Sequence, residues 1–484
     1  MTQPTLRVLS RDDMERIHDS SLRILRDIGV RIESPEVVAI MAAAGARVDG
    51  ETVRMDEGIV SKALESAPRS VRICSRGGTD RTIPEDGVQL ISIDGQPPAV
   101  LDLELGRKRA STLKDLVEMI LIADALPDVD FIWPPVVATD MPTDRSSFYE
   151  FLVSMTHSSK HIQHGAATSE EARFQIEVGA AILGSEEELR KRPIFSDVCT
   201  PISPLRYDQG EVEALVTLAR AGVPVVNLSM AIAGAVTPIS VAGSLAVINA
   251  ENLCGLTIGQ LANPGAPCLY SSFSGVMDLK TGVFLCGTPE GVLMDSAAVQ
   301  MARRYGIPCC SGGPSNAART LSTEAAWQSA FTAMAAVVAG ADMMVGLGGI
   351  DRAGMMSREK IVMDAEVHRW LKRLAKGIDV NDLTMGFDAL ERQGPGGTFL
   401  SDPHTLKLMR KELLIPQVTN HHSGPVAGAE TDELLESAKK RVSEILHTHR
   451  PPLLDDEAAR RVGDVARKYG IVRDDGTQIF DHVA

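Results

Sequence analysis

The chain has 484 residues, 44% of them apolar and 23% charged, with a formal net charge of −15. This is enough chain for a barrel-sized core with further layers, and the acidic balance argues against a nucleic-acid-binding surface, which would be basic. Seven cysteines without a spaced framework point to reduced thiols in a cytoplasm, while the polar start MTQPTLRVLSRDDMERIHDS and the lack of an apolar run of about 18 residues predict neither a signal peptide nor a membrane span.

In chain order, Met14, Ile17, Leu22, Ile24, Leu25 and Ile28 recur at near-helical spacing over residues 8–30, and Gly29 stops that helix. A second helix covers roughly 35–45. RVDGETVRM reads as a hairpin turning at Asp49-Gly50, and residues 57–66 form another short helix before Pro68. VRICSRG and QLISIDGQPPAVLDLELGRKR read as strands. Together these form an α+β cap over residues 1–110. Helix STLKDLVEMILIADAL follows, with Ser111 as the expected N-cap.

Seven short apolar runs then begin near Phe131, His161, Ile194, Pro224, Pro267, Ile307 and Asp342, spaced by roughly 30 to 43 residues. Each leaves room for a helix before the next, the rhythm of parallel βα units. The fold class is therefore α/β: a (β/α)8 TIM barrel over 111–425, with the N-terminal cap and a C-terminal helical extension over 426–484. The position of an eighth strand is not evident after the seventh run. MDAEVHRWLKRLAKGI and PHTLKLMRKELL read as helices, and the tail from Thr431 is helical with a break at Arg450-Pro451-Pro452.

Barrels of this kind carry their chemistry at strand C-termini. The first run ends in Trp133, whose indole face suits a cation or a packed wall. In the second, His161 and His164 are three apart and face opposite ways. Asp197 ends the third run, where an isolated carboxylate is costly to bury. Asn227 follows in the fourth, and Tyr270 and Phe273 in the fifth, with Glu290 in the connection after them. The sixth has Cys309 and Cys310 on opposite faces, then Arg319, a cation able to clamp a carboxylate. The seventh ends in Gly346-Leu347-Gly348-Gly349, then Asp351 and Arg352; it lacks a nucleotide-binding pattern. No CxxC or HExxH occurs, and Asn420-His421-His422 lacks a third ligand, so no metal site is expected.

The run NAENLCGLTIGQLANPGAPCLYSSFSGVMDLKTGVFLCGTPE (249–290) resembles the trimethylamine methyltransferase family. CTPISPL, GAVTPISVAG, GRKRASTLKDL, GGTFLSDPHTL and SREKIVMDAE extend the likeness over nearly the whole chain. Archaeal trimethylamine enzymes of that family carry pyrrolysine; this chain resembles the branch without it, whose donors include quaternary amines such as glycine betaine.

The resemblance implies methyl transfer from a methylated amine to the Co(I) of a corrinoid on a separate protein at the barrel mouth, with no cofactor held by this chain. Among the strand-end residues, Asp197, His164 and Asp351 are the candidates for catalytic roles. Substrate contacts go to Trp133, Asn227, Tyr270, Phe273, Glu290, Arg319 and Arg352. A homo-oligomer in the cytoplasm, without nucleic acid or membrane, completes the expectation. Another methyl donor, folate as direct acceptor, or a betaine-binding protein without catalysis are the alternatives.

Overall fold

The computed structural model describes residues 5–85, 88–419 and 432–471. Asn420-His421-His422 and the 425/426 boundary lie outside them. Eight parallel strands close into a barrel. They are β1 (Leu90–Ile93), β2 (Phe131–Ile132), β3 (His161–His164), β4 (Phe195–Cys199), β5 (Val225–Ser229), β6 (Cys268–Ser272), β7 (Cys309–Gly312) and β8 (Met343–Leu347). Each is followed by a helix of the outer ring: α1 (Leu113–Ala125), α2 (Ser146–His157), α3 (Ser169–Leu183), α4 (Gln209–Ala221), α5 (Val241–Ala262), α6 (Pro289–Tyr305), α7 (Thr323–Ala339) and α8 (Arg358–Ala375).

All seven apolar runs are barrel strands. The eighth strand precedes them: Leu90–Ile93 lies in the segment read as cap and pairs with both β8 and β2. The barrel therefore begins at Leu90 and not at residue 111. Ser111 is not the cap of α1 either. Thr112 accepts from the Asp115 amide in a capping box, while the Ser111 hydroxyl donates to the Val137 carbonyl at 2.6 Å. Other ends follow local chemistry: α6 starts at Thr288-Pro289 and stops at Gly306, whose φ of 67° favours glycine.

Alternate residues of the same strands belong to two separate apolar clusters. Leu90, Phe131, Val198, Val226, Leu228, Leu269, Cys310, Met343 and Val345 pack together without any helix residue, so they fill the lumen. Ile91, Ile162, Phe195, Val225, Tyr270, Cys309 and Met344 pack with the helices. The hairpin Val71–Ile73/Arg81–Ile83 contributes Val71, Ile73 and Ile83 to the lumen cluster and plugs the N-terminal end.

Helices Arg11–Arg23, Pro35–Ala43 and Glu57–Ser66 pack on α5. Glu433–Thr448 packs on α8 and α1, and Asp456–Lys468 on α3. Helix α5 is long and apolar enough to cross a membrane by composition, yet 83% of its apolar window is buried between the barrel and the N-terminal helices. All seven cysteines are free and buried.

Candidate functional site

The mouth is built from loops after the strand C-termini. Residues 99–110 after β1 pair with 349–350 and 355–356 after β8 in one small sheet; 232–233 after β5 pair with 275–278 and 283–285 after β6 in another. These sheets stand on the face opposite the hairpin plug.

Trp133 and Phe273 pack on the lumen cluster at this end and stay partly exposed. They come from β2 and β6, which lie opposite each other in the barrel order. Each ring rests on a glycine: a Cβ at Gly95 would come within 2.6 Å of the Trp133 ring, and one at Gly312 within 2.4 Å of Phe273. Trp133 is tethered further. Its backbone N–H donates to Ser92 Oγ (2.8 Å), and Nε1 donates to Gln96 Oε1 (3.3 Å). Gln96 in turn donates to the buried Glu150 at 3.0 Å.

Asp94 directly follows β1 beside Trp133, because the register places Ser92 opposite Phe131 two residues earlier. Asp94 does not stand out in the sequence, because its strand reads as part of the cap. The signal was present: LISI is a buried-strand run, and Asp-Gly follows it. The residue is buried, 9% exposed, and Oδ1 accepts from the Gly95 amide at 3.0 Å. Burial pushes its pKa up to about 6, opposed by the Gly95 hydrogen bond and by Lys360. Gly349 leaves the space it needs: a Cβ there would lie 2.0 Å from Asp94 Oδ2. That glycine is held in turn. Its carbonyl accepts from Asn316 (2.9 Å), and the neighbouring Gly348 amide donates to Asp364 (2.8 Å), which is ion-paired with the buried Lys360.

Four expected site residues face away from the mouth. His164, Asp197, Asn227 and Tyr270 share the strand phase of Ile162, Phe195, Val225 and Tyr270's own cluster, on the helix side. Asp197 accepts from the Ala166 amide at 3.1 Å, and burial raises its pKa well above 3.8. His164 stacks edge-on to Phe151 of α2 and lies 3.2 Å from Gln175 of α3; burial lowers its pKa to about 4. Asn227 donates to the Leu269 carbonyl, and a Cβ on Gly255 of α5 would be 2.3 Å from its oxygen. The Tyr270 hydroxyl donates to Asn249 of α5 at 3.1 Å. The physical reason is alternation: adjacent residues on a strand point to opposite sides. His161 takes the lumen side instead, between the Cys74 carbonyl (2.8 Å) and Ser196 Oγ (2.9 Å).

The remaining candidates lie on the rim. Asp351 and Arg352 are ion-paired, and Asp351 also meets Lys108 at 3.5 Å. Their turn is left-handed at three successive non-glycine residues, with φ of 56°, 61° and 58° at Asp351, Arg352 and Ala353. Amides of Asp351 and Arg352 donate to the Ala318 and Asn316 carbonyls, which joins the loops after β7 and β8. Arg319 is exposed and has no ion pair among the described residues. Glu290 is exposed in the first turn of α6, where a carboxylate complements the helix dipole.

In fold, the chain is similar to the monomethylamine methyltransferase MtmB of Methanosarcina barkeri, with a TM-score of 0.52, 12% identity, and coverage of 90% of this chain and 88% of that one. In sequence it is 30% identical to a glycine betaine methyltransferase of Desulfitobacterium hafniense, over 94% of this chain and 95% of the relative. It is 28% identical to the trimethylamine methyltransferase MttB of Methanosarcina barkeri, over 96% and 95%. The family model for trimethylamine methyltransferase (MTTB) matches residues 1–470. With that match spanning the cap, the barrel and most of the tail, the chain belongs to the trimethylamine methyltransferase family and is a methyltransferase.

Proposed function

We propose that this methyltransferase takes a methyl group from a betaine-like quaternary amine and passes it to the Co(I) of a corrinoid on a separate protein, docked over the barrel mouth. The observation that carries the reading is the pairing at the mouth of two partly exposed aromatic faces, Trp133 and Phe273, with the Asp94 carboxylate. A quaternary ammonium has no N–H to donate, so it is recognised by π faces and by charge. The likeness to a glycine betaine methyltransferase agrees with that chemistry.

Bound at the mouth, the reduced corrinoid would supply a two-electron nucleophile for the methyl carbon. The C–N bond pair stays on nitrogen, which leaves as a neutral tertiary amine. No general acid is needed, in keeping with Asp197 and His164 being placed behind the strands. The chain's own work is then to orient and desolvate. Trp133, set by Gly95, Gln96 and Glu150, and Phe273 hold the ammonium between opposite strands. Asp94 balances its charge, and Arg319 on the rim reaches the donor's carboxylate. Holding one N–CH3 bond toward the opening lowers the barrier by saving entropy.

The test is spectroscopic. Purified protein, glycine betaine and cob(I)alamin, or a reduced corrinoid protein, should convert the Co(I) absorbance to the methylated form and release dimethylglycine in equal amount. Retained Co(I) absorbance with every quaternary amine supplied would refute the acceptor. Binding of betaine without turnover would point to a carrier.

A further inference from the structure

We propose a second ligand site, for a small oligophosphate, on the N-terminal face of the barrel, at the opposite end from the mouth. A groove of about 460 Å³ lies there, between the C-terminal end of α8, the segments entering β1 and β2, and the helix Pro403–Glu412 with the residues after it. Its volume is in the range of small-molecule sites. In a chain of net charge −15, seven of its lining residues are cationic and two are acidic.

Part of this charge is matched. Lys372 pairs with Asp130 at 3.1 Å, Arg373 with Glu412 at 3.1 Å, and Lys411 with Asp379 at 2.9 Å. Arg81 meets Glu85 at 3.6 Å, and three groups are left over. The side chains of Lys376 and Arg410 are exposed and make no hydrogen bond or ion pair among the described residues. Arg369 reaches Asp128 only at 3.9 Å, and its Nη1 is buried without a hydrogen-bond partner. A buried guanidinium N–H without an acceptor is costly, and an anion that enters the groove would remove that cost.

Arginine and lysine donors converging from two elements suit phosphate oxygens. Leu413, Leu414 and Ile415 form an apolar wall at one side, suited to the organic part of the ligand. Nothing in methyl transfer at the mouth uses this groove, and conserved chemistry in such barrels sits at the other end. The site is therefore independent of the proposed reaction.

The experiment is calorimetric titration of the full chain with pyrophosphate and with ATP, at low and at raised salt. Both should bind, ATP at least ten-fold more tightly, and both should weaken as salt rises. The double variant Lys376→Glu/Arg410→Glu should lose at least ten-fold in affinity for either probe, while its melting temperature without ligand and its affinity for glycine betaine stay unchanged. Both positions are on the surface, so folding is not at stake. Absence of heat with both probes at millimolar concentration, or affinity unaffected by the double charge reversal, would overturn the site. Equal affinity for the two probes would overturn the apolar wall as part of it.

Discussion

On the lumen side of the barrel wall, Trp133 and Phe273 stand partly exposed where strands run out, with Asp94 buried beside Trp133. On the helix side of the same wall, His164, Asp197, Asn227 and Tyr270 are buried against α2, α3 and α5. Both sets are polar or aromatic, and both lie near strand C-termini. The difference between them is one residue of strand phase. It separates groups that can meet a ligand from groups that hold a helix to the barrel, and it predicts opposite mutational signatures.

The largest effect on donor binding should come from Trp133→Ala. Loss of a desolvated cation–π contact costs about 2 kcal/mol, so betaine affinity should fall by more than ten-fold while the melting temperature moves little. A melting shift without loss of affinity would move Trp133 to the structural set.

Asp94 gives the next effect, and it depends on pH. Its pKa is raised from 3.8 to about 6 by burial, so the folded protein holds the proton more tightly than the unfolded chain. Stability from this group is therefore fully present below pH 3.8 and is lost as pH rises to about 6. A bound cation favours the ionised form, so betaine affinity should rise with pH through that window. Asp94→Asn should abolish the rise and leave affinity at its acidic value. An unchanged pH profile in the variant would remove Asp94 from the site.

Arg319→Ala should weaken a zwitterionic donor by roughly five-fold, since solvent screens a rim charge. A choline-like donor without a carboxylate should be unaffected. Equal losses for both would contradict a carboxylate clamp.

The smallest effects on binding belong to the helix side. Tyr270→Phe should cost about 1 kcal/mol of stability through the lost hydrogen bond to Asn249 and leave affinity unchanged. Asp197 has its pKa raised by burial, so its contribution to stability declines as pH rises through the range between its unfolded and folded values. Asp197→Asn, neutral at every pH, should remove that decline and melt no lower than the parent at pH 8.

The fold was largely legible because parallel barrel strands are buried on both faces and read as continuous apolar runs. FSDVC, VVNLS and CLYSS stand out for that reason. The same double burial erased the phase: with apolar residues on both faces, nothing in FSDVC says whether Phe195 and Asp197 face the helices and Val198 the lumen, or the reverse. The first strand was missed for another reason. LISI sits among hairpins and is followed by Asp-Gly and two prolines, so it reads as cap, and Asp94 went unnoticed with it. The position of Trp133 and Phe273 at the mouth is legible because each directly follows a strand whose end is clear.

The most direct test of this account is calorimetric binding of glycine betaine to the parent, Trp133→Ala and Tyr270→Phe proteins, side by side. Affinity lost by more than ten-fold in Trp133→Ala and kept in Tyr270→Phe is the predicted result. Affinity kept in Trp133→Ala and lost in Tyr270→Phe would contradict the placement of the donor at the lumen side of the wall.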